Sequence, residues 1–100
     1  MTIRLQRTSI VAGARDQEAM AFAAEISTYL TESMGIPTTW GMQVGGTLGV
    51  IHWFAEYSDM AAMEAGLLRT NTDPGYLERL SKAAEMFLDG STEDTIISLM

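Results

Sequence analysis

The sequence contains no cysteine, so disulfide staples, thiolate nucleophiles and cysteine-ligated metal or iron–sulfur sites are excluded. Basic residues are scarce. Six Lys and Arg face thirteen Asp and Glu, and a net charge of −7 repels phosphate backbones and anionic lipid headgroups. Neither nucleic acid nor a membrane is expected as a partner. No run approaches the roughly 20 apolar residues of a membrane helix, and Met1 to Val11, interrupted by Arg4, Gln6, Arg7 and Thr8, has no signal-peptide core. A cytoplasmic location is the expectation. One histidine without cysteine makes a transition-metal site unexpected, and Asp89, Glu93 and Asp94 lack calcium-loop spacing, so they read as a solvated turn. The segment Gly45-Gly46-Thr47-Leu48-Gly49 matches neither the dinucleotide fingerprint nor the phosphate loop, and no serine sits in a nucleophile elbow. No cofactor is expected.

What is present is an apolar fraction of 47% with 19% charged residues over 100 residues, the composition and size of one folded domain spanning residues 1–100. Thr2 to Val11 alternates with period two, Ile3 and Leu5 on one face and Arg4, Gln6 and Thr8 on the other, and predicts a strand. Asp16 to Met34 repeats apolar residues at three- and four-residue steps, with Glu18, Glu25 and Glu32 forming a separate acidic stripe, and predicts an amphipathic helix stopped by Gly35 and Pro37. Thr38 to Val44 and Thr47 to Tyr57 read as a hairpin turning tightly at Gly45-Gly46. Ser58 or Asp59 caps a helix through Met60, Met63, Leu67 and Leu68, with Arg69 near its negative end. After Thr70-Asn71-Thr72, Asp73-Pro74 opens a further helix reaching Phe87 and Leu88, Gly90 ends it, and Glu93 to Met100 forms the last strand.

Strand, helix, strand, strand, helix, strand is the α+β, ferredoxin-like βαββαβ order: an antiparallel four-stranded sheet with helices on one face. The other face is left bare. The third strand, Val50-Ile51-His52-Trp53-Phe54-Ala55, carries large apolar groups on both sides of its pleat. At about 25 cal/mol per Å², a wet face of this kind forfeits several kcal/mol. A second copy, sheet against sheet in a twofold homodimer, is the economical cover.

The third strand running into Ser58-Asp59-Met60, and the stretch from Asp73-Pro74-Gly75-Tyr76 through Lys82-Ala83-Ala84 to Gly90-Ser91-Thr92-Glu93-Asp94 and the last strand, carry a resemblance. Over its whole length the chain resembles the dimeric α/β-barrel superfamily, with its NIPSNAP-like and antibiotic-biosynthesis-monooxygenase-like domains. The resemblance implies a homodimer with a pocket between sheet and helices or inside the shared barrel. It implies no particular activity, because the superfamily mixes cofactor-free oxygenases, haem-degrading enzymes, isomerases and decarboxylases. Haem degradation fits poorly, since the only asparagine, Asn71, falls in a loop and the only histidine falls in a strand.

His52 is the one side chain expected to titrate near neutrality. The tight hairpin places it opposite Thr39, on one face with Gln43, Val50, Phe54 and Glu56, while Trp40, Met42, Val44, Ile51, Trp53 and Tyr57 take the other. Glu56 lies ~13 Å along the strand, too far for a His–Glu dyad. Pairing of the first and third strands would bring Arg4, Gln6 and Thr8 beside His52, where Arg4 could hold an anionic oxygen or simply form an ion pair. Trp40, Trp53, Phe54 and Tyr57 could shape an aromatic slot or pack as core. Eight methionines, Met20, Met60, Met63 and Met86 among them, suggest a malleable lining or core filling.

Two functions follow. One is a homodimeric domain binding a small apolar or aromatic ligand in a sheet–helix or barrel cavity. The other is a cofactor-independent monooxygenase acting on a phenolic or polyketide-like aromatic, with His52 as base, Arg4 steadying the anion, and Gln6 with the aromatic residues holding the substrate.

Overall fold

Alternation in the first strand and helical spacing after it become, in a computed structural model describing all 100 residues, β1 (Thr2–Ile10) and α1 (Asp16–Thr28). There follow β2 (Thr38–Met42), β3 (Val50–Tyr57), α2 (Met60–Asn71), α3 (Pro74–Ala83) and β4 (Glu93–Leu99). The four strands form one antiparallel sheet in the order β2-β3-β1-β4. Helix α1 packs against β2 and β3, α2 against β1 and β3, and α3 against the two helices. This is the ferredoxin-like α+β architecture, with every helix on one side.

Local chemistry explains the boundaries. Asp59 caps α2, its carboxylate accepting from the Ala62 amide at 2.8 Å, and Asp73 does the same for the Tyr76 amide at 2.8 Å with Pro74 at the first helical position. Asn71 is the last residue of α2, not part of a loop. The first helix does not continue to Met34 in α form, because residues Tyr29–Ser33 make a wider π turn. The buried Ile36 then donates its amide to the Leu30 carbonyl at 2.9 Å and turns the chain into β2. Nor does the last helix reach Leu88. A 3-10 turn at Ala84–Met86 ends it, and Phe87 runs extended, bridged to Val11 while the Leu88 amide donates to the Ile10 carbonyl at 2.8 Å.

The β2–β3 hairpin is wider than its Gly-Gly pair suggests. The strands end at Met42 and restart at Val50, the Gln43 amide closing the ladder on the Val50 carbonyl at 2.8 Å. Gly46 and Gly49, at φ +77° and +76°, spread the reversal over the intervening loop, where Val44 is 97% exposed instead of lying on the sheet. His52 therefore pairs with Gly41, not Thr39, and Trp40 with Trp53. An even slip leaves each side chain on its expected face.

Toward the helices point Ile3, Leu5, Arg7 and Ser9 of β1 and Ile51, Trp53, Ala55 and Tyr57 of β3. Away from them point Arg4, Gln6 and Thr8, paired across with Glu56, Phe54 and His52. This second face is more polar than the third strand alone suggests, with Phe54 and Ile97 set among charged and amide groups. Two small core clusters anchor the layers. Val11, Ala19, Ala23 and Ile51 hold α1 to the sheet, and Ile3, Leu5 and Met63 hold α2.

Candidate functional site

A cavity of about 330 Å³ lies between sheet and helices and borders both core clusters. Its volume is at the small end of ligand pockets. Most of its lining is apolar: Leu5, Trp53, Ala55 and Tyr57 from the sheet, Phe22 and Ile26 from α1, Leu80 from α3 and Phe87 beyond it. Trp53, Phe22 and Phe87 contact one another edge to face, with ring centroids 5.9 to 6.2 Å apart. The Trp53 indole N–H is enclosed without an acceptor. No methionine contributes, so of the two roles open to the methionines the malleable lining is not the one seen here; Met63 fills core, and Met20 and Met60 are exposed.

Two charged residues line this space, Arg7 and Asp89. Arg7 shares the inward parity of Ile3 and Leu5 and lines the cavity. Its Nε and Nη2 donate to the two carboxylate oxygens of Asp94 at 2.7 and 2.8 Å, and Nη1 donates to the Tyr76 hydroxyl at 3.4 Å. Asp94 is therefore an ion-pair partner on β4 and not part of a solvated turn. The paired bonds raise the Arg7 pKa against the opposing effect of burial and hold the Asp94 carboxyl below the usual carboxylate range. Burial pushes the Tyr57 hydroxyl up.

The other hydroxyls of the lining are occupied within the protein. Ser9 and Thr92 hydrogen-bond each other at 2.7 Å, Thr70 donates to the Leu67 carbonyl and Thr38 to the Ile36 carbonyl.

The sequence-derived candidates divide between the two faces. Trp53 and Tyr57 line the cavity, whereas Trp40 packs on the core cluster around Ile51. His52, Arg4, Gln6 and Phe54 sit together on the helix-free face. Gln43 donates from Nε2 to the Gly45 carbonyl at 2.8 Å, which turns its Oε1 toward His52 Nε2 at 2.7 Å. His52 Nε2 thus carries the proton and donates, and its Nδ1 accepts from Gln6 Nε2 at 3.2 Å. Phe54 stacks on the imidazole at 6.0 Å, Arg4 lies over Phe54 at 5.6 Å, and Arg4 also pairs with Glu56 at 3.3 Å. Both imidazole nitrogens are engaged and the sheet separates them from the cavity. Sequence reasoning passed over Arg7, although an arginine in step with Ile3 and Leu5 was a legible signal.

No family model matches the sequence, and no curated protein matches it either. Solved structures do. An uncharacterised NIPSNAP domain protein from Burkholderia xenovorans superposes with a TM-score of 0.82 at 16% identity, covering 100% of this chain and 95% of its own. A NIPSNAP family protein from Agrobacterium tumefaciens gives 0.80 at 13% identity, covering 100% and 94%. SnoaB, a cofactor-independent oxygenase from Streptomyces nogalater, gives 0.71 at 15% identity over 98% and 92%. No helix is long and apolar enough to cross a membrane. At these identities the likeness concerns the backbone, and by it the chain has the ferredoxin-like fold of NIPSNAP and antibiotic-biosynthesis-monooxygenase-like domains.

Proposed function

We propose that this chain is a homodimeric ligand-binding protein whose sheet–helix cavity takes a small apolar or aromatic molecule. The observation that carries the reading is the cavity of about 330 Å³, walled by Phe22, Trp53, Tyr57, Tyr76 and Phe87. Rings of this kind offer area and edge-to-face contact to a flat guest. The second copy would cover the helix-free face, where Phe54 and Ile97 lie uncapped beside the Arg4–Glu56 pair. Location inside the cytoplasm remains the accompanying expectation. The test uses Trp53 as reporter in a Trp40→Phe variant titrated with naphthalene. Saturable quenching supports the reading, and emission that naphthalene leaves unchanged overturns it.

A cofactor-independent monooxygenase acting on a phenolic or polyketide-like aromatic is the second reading, favoured by the structural likeness to a protein described as an oxygenase. His52 and Arg4 serve it poorly from the far side of the sheet. Substrate deprotonation would fall to another group, and Asp89 is the carboxylate among the lining residues. Oxygen uptake with a dihydroxynaphthalene, lost in Asp89→Asn, is the expected result; no uptake by the native protein removes this reading.

A further inference from the structure

Resting on the ligand-binding reading of the cavity, we infer that its guest is an uncharged aromatic carbonyl compound, held through the carbonyl oxygen by Arg7 and Tyr76 and selected against carboxylates. The inference comes from counting donors and charges. A guanidinium has five N–H donors. In Arg7 two are used by Asp94 and one by Tyr76, which leaves donors on a side chain that lines the cavity. The Tyr76 hydroxyl accepts from Arg7, and no protein group accepts its own hydrogen. The hydroxyls of Ser9, Thr38, Thr70 and Thr92 are bonded within the protein. The cavity thus has donors to spare at the Trp53 indole N–H and where Arg7 meets Tyr76, and only the second place offers two kinds of donor side by side. An oxygen with lone pairs and no proton to place is the complement.

Charge then separates a ketone from a carboxylate. Arg7 looks like an anion receptor, but its charge is already matched by the bidentate carboxylate of Asp94 behind it, and Asp89 puts an unmatched negative group in the lining itself. A carboxylate guest would enter surroundings of net negative charge in a protein of charge −7. It would lose its hydration without gaining an unpaired cation. A neutral carbonyl incurs little of that loss and still takes a charge-assisted hydrogen bond.

The experiment is calorimetric titration with three guests of one size: naphthyl methyl ketone, naphthoate and naphthylmethylamine. The native protein should bind the ketone at least about ten-fold more tightly than naphthoate, the scale of one hydrogen bond to a charged group. In Asp94→Asn, an isosteric change that keeps a hydrogen-bond partner for Arg7 while freeing its charge, the preference should shrink or reverse toward naphthoate. Arg7→Met, which retains the apolar stem, should weaken the ketone by a similar factor, with circular dichroism confirming that it folds. Naphthoate or the amine binding as tightly as the ketone overturns this inference and leaves the cavity reading standing. Failure of all three guests to bind overturns both.

Discussion

Gly66 offers the sharpest test of how α2 sits on the sheet. A methyl group there would lie 2.8 Å from Cε1 of Tyr57 and 3.4 Å from its Cζ and hydroxyl oxygen, so the ring or the helix must move. Two effects oppose each other. Alanine in place of glycine inside a helix contributes about 0.8–1.0 kcal/mol of stability, whereas forcing a carbon into packed space costs about 1–3 kcal/mol. Overpacking wins. Gly66→Ala should lose about 1 kcal/mol net, which for a domain of this size lowers Tm by about 4–8 °C. The decisive measurement is a double-mutant cycle by urea denaturation with Tyr57→Leu, which removes the ring atoms that the new methyl meets. In that background the helix-propensity gain of about 1 kcal/mol should stand alone, giving a coupling near 2 kcal/mol. Equal effects of Gly66→Ala in the two backgrounds would show that the methyl never meets the ring, and the packing of α2 described above would be wrong.

Three further outcomes are expected. The Asp94 carboxyl is depressed in the folded protein by Arg7, so its stabilising contribution is present above its ordinary value of 3.8 and lost as pH falls through the lower folded one. Asp94→Asn should accordingly flatten the acid limb of a stability profile, and a limb of unchanged steepness would remove the ion pair from the account. Gly75→Ala would drive a methyl into the Tyr29 hydroxyl, which donates to Asp73 at 2.5 Å. With that bond broken, NMR titration should find the Asp73 carboxyl rising and the Tyr29 hydroxyl falling toward their ordinary values; unmoved titrations would contradict the geometry. His52→Ala should leave naphthalene quenching of Trp53 unchanged, because the sheet stands between them. A several-fold loss of affinity would place His52 within reach of the cavity after all.

Most of the fold was legible because its determinants are local. Period two in β1, three- and four-residue spacing in α1, and the capping aspartates Asp59 and Asp73 each act within a few residues. What escaped depends on partners distant in sequence. Phe87 leaves the helical path because Val11 bridges to it, and Asp94 becomes an ion-pair partner because Arg7 lies opposite it in the register. The hairpin was legible and only the width of its turn was not. Gly45-Gly46 is compatible with a tight turn, but the positive φ angles fall at Gly46 and Gly49, and backbone freedom in a glycine-rich loop does not reveal which glycines use it. The candidate site was legible residue by residue and not as a unit, since residue type says nothing of which pleat face holds the cavity. Alternation marks Arg4, Gln6 and Thr8 as the polar face of β1, whereas the informative feature is Arg7, a charge on the apolar parity.

The sheet makes next-door neighbours in β3 answer to different selective demands. Trp53 borders the sheet–helix cavity, while His52 and Phe54 on either side of it lie on the helix-free face. Under the proposed function, choice of guest and pairing of copies would therefore vary separately, through alternate positions of a single strand. A one-residue insertion in that strand would swap both duties at once, which makes its length a harder constraint on descendants than its composition.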